Sequence, residues 1–349
     1  MSPDSNRFSR WADELIRLDF NFYNFYSIEK DFHRPHLFFF SVPVLLIAIC
    51  KLIFFNEWQF AFLVLNLIFL FFSLLYFVKS LLLIGIRPIL ISLAFPLIII
   101  SVDILTWPRY ILSDMNYAFL VILAVYFMIK VSIRNEINYV EFFSIIFLLL
   151  ATRPSSLPVI FVIILFVIVS RFQIFAKQKN LLVFISIILF SITFLLFLAY
   201  FILELNFNHY GKVKFITDMV KLGMIVHDRP ETWIDVPTNY IDVLHIYFLR
   251  LINFFNPYAS TFSVFHIFLN IIQIVLILLS VLIWSIFGGD TKIKDHTFFF
   301  ILLLSFFIAA FHSFILIDYD WRYRFPIILP LIMLIPISLE ITLKKLKII

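Results

Sequence analysis

The residues able to do chemistry in this chain are a few acids and arginines set in an otherwise apolar sequence, and they fall into a small number of groups. Asp4 stands in Ser2–Pro3–Asp4–Ser5, followed by Phe8, Ala12 and Leu15 at the spacing of one helix face. His33–Arg34–Pro35 comes immediately before a long apolar run. Asp103, Arg109 and Asp114 share the stretch Asp103–Ile–Leu–Thr–Trp–Pro–Arg–Tyr–Ile–Leu–Ser–Asp114. Asp318–Tyr–Asp–Trp–Arg–Tyr–Arg–Phe–Pro326 carries Arg322, Tyr323 and Arg324, and Thr152–Arg153–Pro154 adds another arginine. A carboxylate can take a proton from a reacting hydroxyl. Guanidinium groups hold a phosphate through paired donors. Each group also has a plain structural use. Asp4 or Ser5 makes a good helix N-cap, and Arg34 can snorkel from the end of a span. Asp114 suits the positive end of a helix dipole, and Arg322 and Arg324 can pair with Asp318 and Asp320.

The chain that must position these groups has 349 residues, 63% hydrophobic and 14% charged, with mean hydropathy +1.05. A soluble domain carries about 25% charged residues. An all-α, multi-pass transmembrane protein is therefore expected, with charges confined to the ends of its spans. The net charge of +5 does not point to nucleic acid, because the basic residues sit in short clusters between apolar runs. Cys50 is the single cysteine, so neither a disulfide within the chain nor a cysteine metal site can form. No HExxH, Walker A or GxGxxG pattern occurs, and the polar, amphipathic first thirty-odd residues do not read as a cleavable signal peptide.

The positive-inside rule orients the chain from its C-terminal end. Phe325–Leu343 is a span followed by Lys344, Lys345 and Lys347, which places that end in the cytoplasm and Asp318–Arg324 outside. Upstream, Phe298–Ile317, Ser263–Ile286, Leu181–Leu205, the short pair Val140–Ala151 and Pro158–Ser170, and Met115–Ile129 follow as spans. Residues 206–258 form an external loop. Residues 1–36, with an amphipathic interfacial helix, face the cytoplasm if all three segments between Leu37 and Val102 cross and outside if one dips in and returns; the external placement is the expectation. Leu37–Phe55, Phe60–Val78 and Ile89–Val102 complete a count of about eight. Ile89–Val102 is short, contains Pro96 and has Pro88 and Pro108 near its ends, so it is expected to be broken or re-entrant. The whole of 1–349 reads as a single membrane domain.

In order and placement these groups resemble the GT-C superfamily of membrane glycosyltransferases, closest to its dolichyl-phosphate-mannose and aminoarabinose transferase-like branch. That family carries a pattern like Asp-Ser-x-x-Tyr-x-x-x-Ala-x-x-Leu in an external loop. Here Asp4–Ser5–Asn–Arg–Phe8–Ser–Arg–Trp–Ala12–Asp–Glu–Leu15 is similar, with Phe for Tyr. Arg34–Pro35, Ser113–Asp114, Thr152–Arg153–Pro154 and Arg322–Tyr323–Arg324–Phe–Pro326 look like further family features. In the family a first span precedes the catalytic loop, whereas Asp4 stands at the start of this sequence.

The resemblance implies transfer of a sugar from a polyprenyl-phosphate donor to a lipid, glycan or protein acceptor on the non-cytoplasmic face of the cell (inner) membrane. It implies Asp4 as general base and Asp114 as a residue that shapes the acceptor site or assists a divalent cation. Arg34, Arg153, Arg322, Tyr323 and Arg324 would hold the donor phosphate, with Asp103 and Arg109 in support. Nucleic acid is not an expected partner. Two other readings fit part of the pattern: a transporter or flippase of lipid-linked saccharides, and a polysaccharide polymerase. A transporter places charges along a path at mid-membrane depth, whereas the spans here are nearly free of charge between their ends. The topology makes a first prediction. A fluorescent protein fused after Ile349 is expected to fluoresce and alkaline phosphatase fused there to be inactive; the opposite pair of signals would invert the orientation.

Overall fold

The computed structural model describes residues 3–27, 37–134, 136–171, 240–258, 262–288, 292–314 and 321–346, and every regular element among them is helical. Five runs are long and apolar enough to cross a bilayer: Leu37–Leu83, Asp114–Arg134, Val264–Phe287, Ile293–Ser313 and Arg322–Lys345. A sixth is reached when the bent pair Pro88–Ile100 and Val102–Arg109 is taken as one span. The described residues thus hold five or six candidate spans of the about eight expected from sequence. Tyr139–Leu150 and Pro154–Ile168 are apolar but too short, and Leu181–Leu205 lies outside the described residues.

The chain opens with α1 (Pro3–Arg17) and α2 (Phe22–Ser27). Phe8, Ala12 and Leu15 fall on one side of α1 because they recur at three- and four-residue spacing. They are 6%, 0% and 0% exposed, and they share an apolar cluster with Val44, Ile47, Ala48 and Cys50. The apolar face expected to lie in the interface is therefore covered by protein. Lys51 Nζ fixes the contact, donating to Ser9 O at 3.0 Å and to Asp13 Oδ1 at 2.6 Å.

The run Leu37–Leu83 folds as two helices, α3 (Ser41–Phe54) and α4 (Trp58–Leu83), joined by a tight 3-10 turn at Phe55–Glu57. The two helices pack side by side, with Phe62 of α4 in the same cluster as Val44 and Ile47 of α3. At the tip Ile53, Phe54, Phe55 and Phe60 are 61%, 50%, 75% and 68% exposed. So large an apolar surface belongs in lipid. At its other end α4 closes on Gly85, whose φ of +77° is open to glycine. Gly85 N–H bonds Leu82 O and Ile86 N–H bonds Leu81 O, a Schellman pair that satisfies the last carbonyls and turns the chain back.

The returning segment consists of α5 (Pro88–Ser92), α6 (Phe95–Ile100) and α7 (Val102–Thr106), with a 64° bend at Ser101. Pro88 and Pro96 each sit at the start of a helix, where a missing N–H costs nothing. Next come α8 (Asp114–Arg134), α9 (Tyr139–Leu150) and α10 (Leu157–Arg171). Then follow α11 (Tyr240–Phe254), α12 (Val264–Phe287), α13 (Lys292–Phe314) and α14 (Phe325–Lys345). Of the stretch expected as an external loop, residues 206–239 lie outside the described residues, and 240–254 is α11, packed on α13.

α14 is the central helix: nearly all its residues from Phe325 to Ile341 are buried, and it packs on α8, α12 and α13. Two ion pairs align the bent segment along it. Arg87 Nε donates to Glu340 Oε2 at 2.9 Å, and Arg324 Nε donates to Asp103 Oδ2 at 3.0 Å. Glu340 and Arg324 are separated by roughly 24 Å of helix at 1.5 Å per residue. Residues 87–103 thus run the length of α14 in the opposite direction. The break expected from the prolines is present, at Ser101.

α4 and α8 run parallel, as Asn66 Nδ2 donates to Tyr110 O at 2.9 Å while Tyr76 meets Tyr126 at 5.1 Å between ring centroids. The start of α4 at Trp58 therefore stands about 12 Å beyond the level of Tyr110. If Glu340 anchors the bent segment, Glu340→Leu should lower stability by about 2 kcal/mol in detergent unfolding. Arg87→Leu/Glu340→Leu should lose less than the sum of the two single changes; additive losses would show that the pair holds nothing.

Candidate functional site

Asp114 opens α8, where the exposed N–H groups of a helix start favour a carboxylate. Arg153 stands in the turn between α9 and α10, in extended backbone ahead of the 3-10 turn Pro154–Ser156. That turn is held by Thr152 Oγ1 donating to Leu148 O at 2.6 Å and by Ser156 N–H to Arg153 O at 3.1 Å. Tyr117, one turn along α8 from Asp114, donates its hydroxyl to Ser155 O at 2.7 Å. Arg153 Nη1 and Asp114 Oδ1 form an ion pair, and the two residues are 8% and 1% exposed.

A second buried pair lies close by. Arg324, at the start of α14, meets Asp103 on α7, and the residues are 6% and 5% exposed. Arg324 Nη1 also donates to Asn256 O at 3.0 Å, and its guanidinium lies 5.9 Å from the Phe262 ring. Its Nη2 is buried with no hydrogen-bond partner among the described residues.

Tyr323 joins the two pairs. Arg153 and Arg322 lie 5.1 Å and 5.3 Å from its ring centroid, within cation–π reach. His312 of α13 stacks on the same ring at 4.2 Å and 7°, and Phe254 of α11 stacks behind it at 6.2 Å and 14°. Three arginines from two remote segments, two acids, a tyrosine and a histidine thus share one end of the helix bundle. Asn116 Nδ2, Ser155 Oγ and Ser156 Oγ, near these groups in sequence, are buried without hydrogen-bond partners among the described residues.

The structure therefore brings together Asp103, Asp114, Arg153, Arg322, Tyr323 and Arg324 of the residues predicted from sequence. Arg109 stands apart. It is exposed, in the 3-10 turn Trp107–Arg109, and makes no ion pair among the described residues. The reading of Asp103, Arg109 and Asp114 as one local cluster is corrected, because each acid is taken by an arginine far away in sequence. Arg34 lies outside the described residues, as do Asp318 and Asp320 and the side chain of Asp4. The helix that Asp4 begins shares its apolar cluster with Ile111 and Leu112, just before Asp114. His312 was missed by sequence reading. Within an apolar helix nothing but its identity marks it, and only the stack on Tyr323 gives it a place. Among the described residues, no group of three His, Cys, Asp or Glu side chains is arranged to hold a metal ion.

No protein-family description, curated protein or solved structure matches the chain. The site is thus read from its own chemistry.

Removing one member of a buried ion pair strands the other, at about 3–5 kcal/mol. Asp103→Leu is expected to lose stability on that scale in detergent unfolding. Asp103→Leu with Arg324→Leu should recover most of the loss, and a double variant as unstable as the sum would deny the pairing.

Proposed function

We propose that this protein is a membrane glycosyltransferase that uses a polyprenyl-phosphate-linked sugar on the non-cytoplasmic side of the cell membrane. The gathering of Arg153 and Arg322 about the Tyr323 ring, with Arg324 the next residue along the chain, carries the reading. Fixed guanidinium groups suit a phosphodiester headgroup, and they stabilise best the charge that grows on a departing phosphate. Arg324 Nη2 is a donor left for such an anion. The apolar hairpin tip, standing beyond the level of Tyr110, supports a lipid-borne donor: the site lies below a lipid-facing rim, where a prenyl tail can run beside α3 and α4. In the transporter reading charges would line a path through the bundle. Here the ion pairs Arg153–Asp114 and Arg324–Asp103 share one end of it, and Arg87–Glu340 holds the other.

In the transfer, the acceptor oxygen attacks the anomeric carbon from the side opposite the phosphate. The new C–O bond forms as the carbon–oxygen bond to phosphate breaks. The bonding pair leaves with the phosphate, and polyprenyl phosphate is released with its charge on Arg153, Arg322 and Arg324. The acceptor proton passes to the Asp4 carboxylate. Asp114 holds Arg153 in place, and the anomeric configuration inverts.

The test is transfer in proteoliposomes from radiolabelled undecaprenyl-phosphate sugars to a cell-envelope extract. Asp4→Asn and Arg153→Gln should each cut the rate by about 100-fold or more with unchanged membrane insertion. Undiminished transfer by Asp4→Asn would remove Asp4 from the mechanism. A wild type that binds undecaprenyl phosphate yet transfers no sugar would favour the transporter reading.

A further inference from the structure

Most of α12 faces outward, and its three buried residues are all polar: Asn270, Gln273 and Ser280. Lipid by itself drives polar side chains inward, where they hold helices together. That account covers Ser280, whose hydroxyl donates to Leu276 O at 2.8 Å, and Asn270, whose Nδ2 donates to Pro257 O at 3.2 Å. It does not cover the other polar groups on this face. Gln273 is 5% exposed, and no hydrogen bond among the described residues engages its amide. His266 Nε2 is buried without a hydrogen-bond partner among the described residues. Groups of this kind are normally satisfied in a folded protein, by protein or by something bound.

The face they occupy leads away from Arg324. His266 stacks on Phe262 at 3.9 Å, and the Phe262 ring lies 5.9 Å from the Arg324 guanidinium. Asn270 is tied to Pro257, whose neighbour Asn256 accepts from Arg324. His266, Asn270 and Gln273 recur at four- and three-residue spacing and so form one stripe, roughly 10 Å long. α7 packs on α12 and carries Asp103, the partner of Arg324.

We propose that His266, Asn270 and Gln273 form a subsite for the hydroxyl groups of a sugar ring whose phosphate is held at the arginines. The inference rests on the glycosyltransferase reading above. An amide offers two donors and an acceptor, and a neutral imidazole one of each, which suits neighbouring hydroxyls that both give and take hydrogen bonds.

The test is equilibrium binding to the full chain in lipid nanodiscs, with four probes: undecaprenyl phosphate and its glucosyl, mannosyl and aminoarabinosyl esters. The wild type should bind one ester about 10-fold or more tighter than bare undecaprenyl phosphate, the effect of one well-made hydrogen bond or more. Gln273→Met and His266→Phe, which keep volume and the stack on Phe262, should bring that ester back to the affinity of the bare lipid. Arg153→Gln should weaken all four. If the wild type binds bare undecaprenyl phosphate and prefers no ester, or if the α12 variants weaken all four alike, the subsite is overturned and the phosphate site stands. If it binds none of the four, the phosphate reading fails and the subsite falls with it.

Discussion

Two buried arginine–aspartate pairs are the constraint on which this arrangement depends. An isolated charge inside a membrane domain is unfavourable by several kcal/mol, so each guanidinium must find its carboxylate wherever the chain has put it. Arg153 takes Asp114 and Arg324 takes Asp103. Those contacts draw the α9–α10 turn to the start of α8, and the start of α14 to α7. Tyr323 lies between them, with Arg153 and Arg322 at its ring and His312 stacked on it. The charges thus tie the helices at one end, while the apolar length of α14 fills the middle.

Pairing also sets what the site can still do. Asp114 is paired with Arg153, and the pair fixes the direction of that guanidinium. Arg324 spends Nε on Asp103 and Nη1 on Asn256 but keeps Nη2. An anion arriving there would meet donors already fixed in direction, which is the arrangement that favours charge developing during a reaction. The third pair, Arg87 with Glu340, stands at the other end of α14, with Lys344 3.8 Å from the same carboxylate. It works as an anchor, holding the far end of the broken segment against α14.

Legibility in the sequence followed the reach of each physical signal. Apolar runs marked α4, α8, α12, α13 and α14, with ends up to six residues off at α13, because a bilayer demands length and hydrophobicity from each helix separately. Phe8, Ala12 and Leu15 marked one face of α1 through the helical period, though not what covers that face. The break near Ser101 was legible from its prolines, but the course of the segment along α14 was not. That depended on which partner Arg87 and Asp103 found, and both are more than 200 positions away along the chain.

By itself the sequence determined that the chain is helical, apolar and suited to a membrane, and that its few acids and arginines lie at the ends of its helices. Local composition is enough for that, since each run must satisfy its own backbone in lipid. Tertiary structure alone decided the pairings: Asp103 with Arg324 and not Arg109, Asp114 with Arg153, His312 on Tyr323, and Gln273 turned inward. Ion pairs and stacks act over a few ångströms in space, and helix packing, not spacing along the chain, chooses which side chains come that close.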